Sequence, residues 1–186
     1  MFCKGIVLVY NLTNRPLAYL QFPQGSKVIT EEGPVAIESL VLGQQVLTLQ
    51  DHKSFMTPFL GWIHKESETA AKFFTLETSS QKIMLSAKHV IFIKTNQNQL
   101  RPMTTFADLV KGGDLLHIRD NKGTRWEEVV SIHADTRTGI YTPLTSAGTI
   151  LVDNILASCY ADFLYQSVVS PTLTIQCHHL IQIFPG

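Results

Sequence analysis

LVLGQQVLTLQDHKSFMTPFLGWIH, residues 40–64, and LVKGGDLLHIRDNKGTRWEEVVSIH, residues 109–133, align without a gap at an offset of 69. Eight of the twenty-five positions are identical: Leu40 and Leu109, Val41 and Val110, Gly43 and Gly112, Leu47 and Leu116, Asp51 and Asp120, Lys53 and Lys122, Ile63 and Ile132, His64 and His133. Chance, at roughly 6% per position, gives about one or two. Each copy reads as a Leu-Val-x-Gly turn, a strand, a hairpin and a second strand, with the hairpin turns at Asp51-His52-Lys53 and Asn121-Lys122-Gly123. Neither copy has residues enough for a good core of its own. The two are therefore expected to pack about a pseudo-twofold axis and share one core, as halves spanning about 28–95 and 101–159.

The rest of the chain agrees with an all-β domain. Val, Ile, Thr and Phe recur in short bursts bounded by turn residues, at Gln45–Leu49, Phe73–Thr78, Lys82–Leu85, Val90–Lys94 and Gly148–Val152. Helical periodicity is confined to short turns at Val35–Leu40 and Thr105–Val110, which argues against a bundle or a doubly wound sheet. Of 186 residues, 45% are hydrophobic and 16% charged, the signature of a folded domain. Fifteen acidic residues balance fifteen basic ones, so no electrostatic footprint for nucleic acid or anionic lipid is expected. The longest apolar run, Ile6–Tyr10, falls far short of a membrane-spanning helix. It makes no convincing signal peptide either, with Asn11, Asn14 and Arg15 close behind. Asn11-Leu12-Thr13 is a glycosylation acceptor only if the chain is secreted. Cys3, Cys159 and Cys177 form no C-x-x-C pair and no disulfide framework. Cys177-His178-His179 looks like a ligand cluster but has no fourth ligand at sensible spacing, so neither a metal nor a cofactor is expected. A monomer is the simplest state.

Ser86-Ala87-Lys88-His89 stands between two strand-like runs. A hydroxyl three residues before an imidazole, at a strand end, can set both side chains over one peptide group. His89 then hydrogen-bonds to or protonates a leaving amide nitrogen while Ser86 orients the same peptide. The plainer reading of His89 is a structural histidine beside a buried strand, and of Cys159 a small buried hydrophobe.

Together these pieces resemble the Hint domain of hedgehog proteins, the self-processing module related to inteins. The resemblance rests on Phe22–Val28, Glu32-Gly33-Pro34 with Leu40–Leu47, Phe59–Lys65, Leu85–His89 and, most specifically, Tyr141–Asp153 running on to Ala157–Tyr160. It implies a Hint fold, a disc of two related β subdomains, over residues 21–160, with a non-family segment at 1–20 and a short extension at 161–186. It implies autoprocessing as well. A cysteine opening the domain attacks the preceding carbonyl to give a thioester, and a second nucleophile, cholesterol in hedgehog proteins, cleaves it. The substrate is then the chain's own upstream polypeptide, and the compartment the secretory pathway or the extracellular space. His89 matches the histidine assisting the acyl shift, and Ser86 stands where the motif usually has threonine. Cys159 matches the cysteine that lies near the nucleophile. His64 occupies the position of an aspartate that activates the sterol hydroxyl, which opens the second nucleophile to another alcohol or water; His64 and His133 are alternatively twin structural histidines. The apolar residues of 161–186, from Val168 to Phe184, read either as a truncated sterol-facing segment or as a terminal strand covering the core.

The departure is at the nucleophile, where Gln21 replaces cysteine. A carboxamide is neither nucleophile nor leaving group at neutral pH, so this chain is expected not to cleave itself by the family route. Two explanations compete: a degenerate β-module that acts by binding, or an upstream sequence, Met1–Gln21, that is not the native one. The survival of His89, Ser86 and Cys159 favours the second.

Overall fold

The computed structural model describes residues 21–50 and 53–161. It is all-β. The strands are β1 (Lys27–Thr30), β2 (Gly33–Ala36), β3 (Gln45–Gln50), β4 (Lys53–Thr78), β5 (Lys82–Ser86), β6 (His89–Lys94), β7 (Met103–Phe106), β8 (Leu115–Asp120), β9 (Gly123–Thr145), β10 (Thr149–Val152) and β11 (Ile155–Ala161). Single 3-10 turns at Ile37–Ser39 and Ala107–Leu109 are the two helical stretches expected from the sequence. The strands form one antiparallel sheet, in the order β10-β1-β3-β4-β9-β8-β11-β6-β7, with β2 added to β1 and β5 to β4.

The duplication is real, but its register is 70, not 69. Strand β2 and its 3-10 turn at 33–39 recur at 103–109, and β3 at 45–50 recurs as β8 at 115–120. The hairpins close on Gln50↔Lys53 and Asp120↔Gly123. Gly43 donates to Phe59 O as Gly113 donates to Val129 O, and both glycines sit at positive φ, 83° and 93°, where other residues are strained. The mate of Leu40 is thus Val110: each follows its 3-10 turn and is buried, whereas Leu109 is 56% exposed. Counting identities cannot see the backbone turn that fixes register, and a slip by one residue moves every side chain to the other face. His64 and His133 are therefore not structural twins, as their partners show: His64 lies opposite Thr142 and His133 opposite Thr75.

A single apolar cluster draws on both halves, with Val28, Val46, Phe59 and Leu76 from the first and Leu116, Ile118, Val129 and Ile150 from the second. The sharing expected from two undersized halves is what the structure has. The feature with no counterpart in the sequence reading is the length of β4 and β9, 26 and 23 residues. Their middle, including Lys65–Lys72, is almost wholly polar and exposed. It holds as an antiparallel ribbon because each strand satisfies the other's backbone groups. The β4–β5 turn is tied to β9 through Glu127. Burial opposes the charge on this carboxylate, but hydrogen bonds from Ser80, Thr78, Arg125 and Ser79 outweigh it and hold the pKa at about 2. That tie fixes the entry into β5, which carries Ser86 at its far end.

The register has a direct test in urea denaturation. Leu40→Ala is expected to cost about 2–5 kcal/mol of unfolding free energy, and Leu109→Ala no more than about 0.5 kcal/mol. Equal losses at the two positions would restore the offset of 69.

Candidate functional site

Ser86 ends β5 and His89 begins β6, so Ala87-Lys88 is a tight turn that sets the two side chains in one place. The segment Gln21–Gln24 meets them there. The Gln21 amide donates to Ser86 Oγ at 2.9 Å, and the Ser86 amide donates to the Gln21 carbonyl at 3.0 Å. One serine thus holds residue 21 from both ends. Phe22 and Tyr141 exchange both backbone hydrogen bonds at 3.0 Å, docking the next residue onto β9. The Phe22 ring lies 4.5 Å from the imidazole of His89, within a cluster in which Trp62 meets both Phe59 and Tyr141 edge-on.

His89 is 1% exposed. Its Nε2 lies 3.0 Å from the Ser158 carbonyl of β11, and because a carbonyl only accepts, Nε2 carries the hydrogen. Nδ1 is left as a buried lone pair with no hydrogen-bond partner. Burial pushes the pKa down from 6.5 to about 4, against the upward pull of the Ser158 and Gln21 backbones. The imidazole at neutral pH is therefore uncharged, with a basic nitrogen sealed from water beside residue 21. Gln21 itself is 3% exposed.

Cys159 is buried in the same apolar cluster as Phe22 and Tyr141. Thr145 Oγ1 donates to the Thr149 carbonyl at 2.8 Å, which turns its lone pairs toward Cys159 Sγ at 3.6 Å, so the thiol donates there. Burial raises the Cys159 pKa to about 11, and the group stays a thiol. His64 is half-buried on β4; its Nε2 is 3.3 Å from Glu66 Oε1 and its backbone partner, Thr142, follows Tyr141. His133 stands 3.7 Å from Asp135. The structure thus brings Ser86, His89 and residue 21 into contact, sets Cys159 in the core cluster that includes Phe22, and leaves His64 on the adjoining ribbon. Cys3, Cys177, His178 and His179 lie outside the described residues.

The family description "Hint module" matches residues 18–182. The chain belongs to the Hint family. This Hint domain is 35% identical over 146 residues to Sonic hedgehog protein of Xenopus laevis, a match covering 75% of the chain and 33% of the relative. It is 31% identical over 149 residues to Warthog protein 6 of Caenorhabditis elegans, covering 79% and 25%. The chain thus matches between a quarter and a third of the length of these two relatives. Among solved structures it is similar to the TvoVMA intein, with a TM-score of 0.61 at 13% identity over 76% of this chain and 98% of the intein. The bacterial intein-like domain from Clostridium thermocellum gives 0.58 at 18% identity over 74% and 97%. At such identities the likeness shows the fold, and the fold is that of inteins. This Hint domain is similar to part of the hedgehog and warthog proteins and shares its fold with inteins.

Two holders of the site escaped the sequence reading. Tyr141 pins Phe22 through its backbone, and Thr145 accepts the hydrogen bond of the Cys159 thiol. Both lie in the stretch that carries the resemblance, but their roles depend on which strands pair, and one sequence does not show that.

The buried imidazole gives a pH signature. Its folded-state pKa is depressed, so the unfolded chain binds the extra proton between pH 6.5 and 4. The stability involved is fully present above pH 6.5 and is lost as the pH falls to about 4. The loss from this group is about 3 kcal/mol. Unfolding free energy measured at intervals across this window should show that slope in the unaltered chain and a shallower one in His89→Leu. An identical slope in the two proteins would place the titration elsewhere.

Proposed function

We propose that this hedgehog-type Hint domain acts on its own polypeptide at the bond between residues 20 and 21, by an acyl shift from nitrogen to sulfur that requires a cysteine at position 21. One observation carries the reading: Ser86 holds the amide and the carbonyl of residue 21 while the bare Nδ1 of His89 is buried beside it. The hold on the amide needs the Ser86 hydroxyl, which a site merely filled with apolar side chains does not.

With a cysteine at 21, its sulfur attacks the carbonyl carbon of residue 20. The carbon–sulfur bond forms, the carbon–nitrogen bond breaks, and the thiol proton ends on the departing nitrogen, which becomes the free amine of residue 21. His89 is built to relay that proton. Neutral at physiological pH, it has a lone pair to accept it, and as an imidazolium with a pKa of about 4 it returns the proton readily. Ser86 keeps the departing nitrogen in place. A second nucleophile, cholesterol or another alcohol or water, then attacks the thioester, releasing the upstream fragment as ester or acid and restoring the thiol. His64, more open to solvent and backed by Glu66, is the base for that step. Cys159, kept a thiol by burial, takes no part. Gln21 supplies no sulfur, so the chain as it stands is inert by this route. The hedgehog and warthog relatives favour passage through the secretory pathway.

The test is a fusion with a tag upstream of residue 20, carrying Gln21→Cys and treated with dithiothreitol. A shortened product is expected on a gel, slowed at least about 100-fold by His89→Ala and about tenfold by Ser86→Ala. The Gln21 chain stays whole. If the restored cysteine gives no cleavage that depends on His89, the domain is a silent β-module acting by binding.

A further inference from the structure

We propose that Gly139 is the positioning residue that sets residue 21 against Ser86 and His89, by letting Phe22–Gln24 dock as a short ribbon on a bulge of β9. The proposal deepens the autoprocessing reading and rests on it for its consequence in catalysis, though its geometric part stands independently. Phe22 pairs with Tyr141 in both directions, and the Gln24 amide donates to the Thr138 carbonyl at 3.3 Å. Two steps along one strand, from 22 to 24, therefore span three along the other, from 141 to 138. The extra residue on β9 falls between Thr138 and Tyr141. The opposite flank of β9 is out of register at the same place: Ile140 faces Glu66 and Thr138 faces Ala70, so four steps of β4 are matched by two of β9. Gly139 lies at the centre of both irregularities, with φ at 86°.

Bulges of this kind bend a strand and re-aim what is attached to it. A glycine in a strand interior marks close approach of another backbone, and here the approach is measurable. A Cβ built on Gly139 would lie 2.7 Å from Gln24 Cβ, 2.8 Å from Tyr141 Cε2 and 3.2 Å from the Gln24 amide nitrogen. Ordinary contact begins near 3.4 Å, so any side chain here drives the ribbon back by about 0.7 Å or forces the Tyr141 ring aside. The positive φ adds backbone strain for every other residue. Phe22 is the neighbour of Gln21 and touches the His89 ring, so displacement of the ribbon passes directly to the peptide that Ser86 holds. Shifts of this size are enough to cost orders of magnitude in a reaction that depends on alignment. Gly139 touches no reacting atom; it acts through the ribbon.

Two measurements test this, and one is independent of the chemistry. In the unaltered Gln21 background, Gly139→Ala should make the amides of Phe22 and Gln24 exchange with deuterium at least tenfold faster, while Ile91 and Leu116 in the shared core keep their protection. In the tagged Gln21→Cys fusion, Gly139→Ala should slow thiol-induced cleavage at least tenfold. Adding Gln24→Gly, which removes the atom at 2.7 Å, should recover threefold or more of that loss, which a merely structural defect would not show. Unchanged exchange at Phe22 and Gln24 would overturn the proposal. So would loss of protection throughout the sheet, because the role assigned to Gly139 is local to the ribbon. If exchange behaves as expected and the Gln21→Cys parent does not cleave, the geometric assignment stands and the autoprocessing reading falls.

Discussion

Ser86 accepts a hydrogen bond from the amide of Gln21 and donates one to its carbonyl, in a part of the molecule closed to water. Each bond is worth only about 1 kcal/mol net, but losing one strands a buried polar group at about 1–3 kcal/mol. The pair therefore specifies a position more than it adds stability. Everything near the site is arranged around it. Strand β5 delivers Ser86 because β4 pairs along its whole length and Glu127 anchors the turn before it. The turn after Ser86 places His89 three residues on, where β6 starts and the Ser158 carbonyl takes its Nε2 hydrogen. A serine, a histidine and one peptide group are thereby fixed by three strands that also build the core.

The same burial sets the chemistry of the imidazole. Water would leave His89 partly protonated near neutral pH; sealed in, it is neutral and its Nδ1 is buried without a hydrogen-bond partner. The cost appears only in acid, where the protonated form has to be accommodated without solvent. Cys159 shows the same physics with the opposite sign, since burial protects its thiol from ionising. His64, on β4 beside Glu66, is more open to solvent than His89. The two histidines thus sit in different environments, although their side chains are the same.

Much of this was legible in the chain. The bursts of β-branched residues located β3, the end of β4, β5, β6 and β10, and the two short periodic stretches became the two 3-10 turns. Ser86 and His89 could be singled out because a tight turn between strands fixes both side chains locally. Other features depended on pairing that no local pattern encodes. The repeat was found one residue out of step because identities favoured 69 while the hairpin turns and Gly43/Gly113 impose 70. The polar run Lys65–Lys72 carries no hydrophobic alternation, so the long β4–β9 ribbon left no trace. Gly139 carries no signal in the chain, because its constraint comes from β4 and the 22–24 segment, which are both set against it.

The central claim is spatial: residue 21 is gripped by Ser86, and Phe22 beside it packs against the ring of His89. Nuclear Overhauser contacts in the isotopically labelled Gln21 chain test it most directly. The account predicts cross-peaks joining the Gln21 amide proton to the Ser86 side chain, and the Phe22 ring protons to those of His89. A spectrum with the native β4–β9 and β6–β7 contacts but without these two would contradict it.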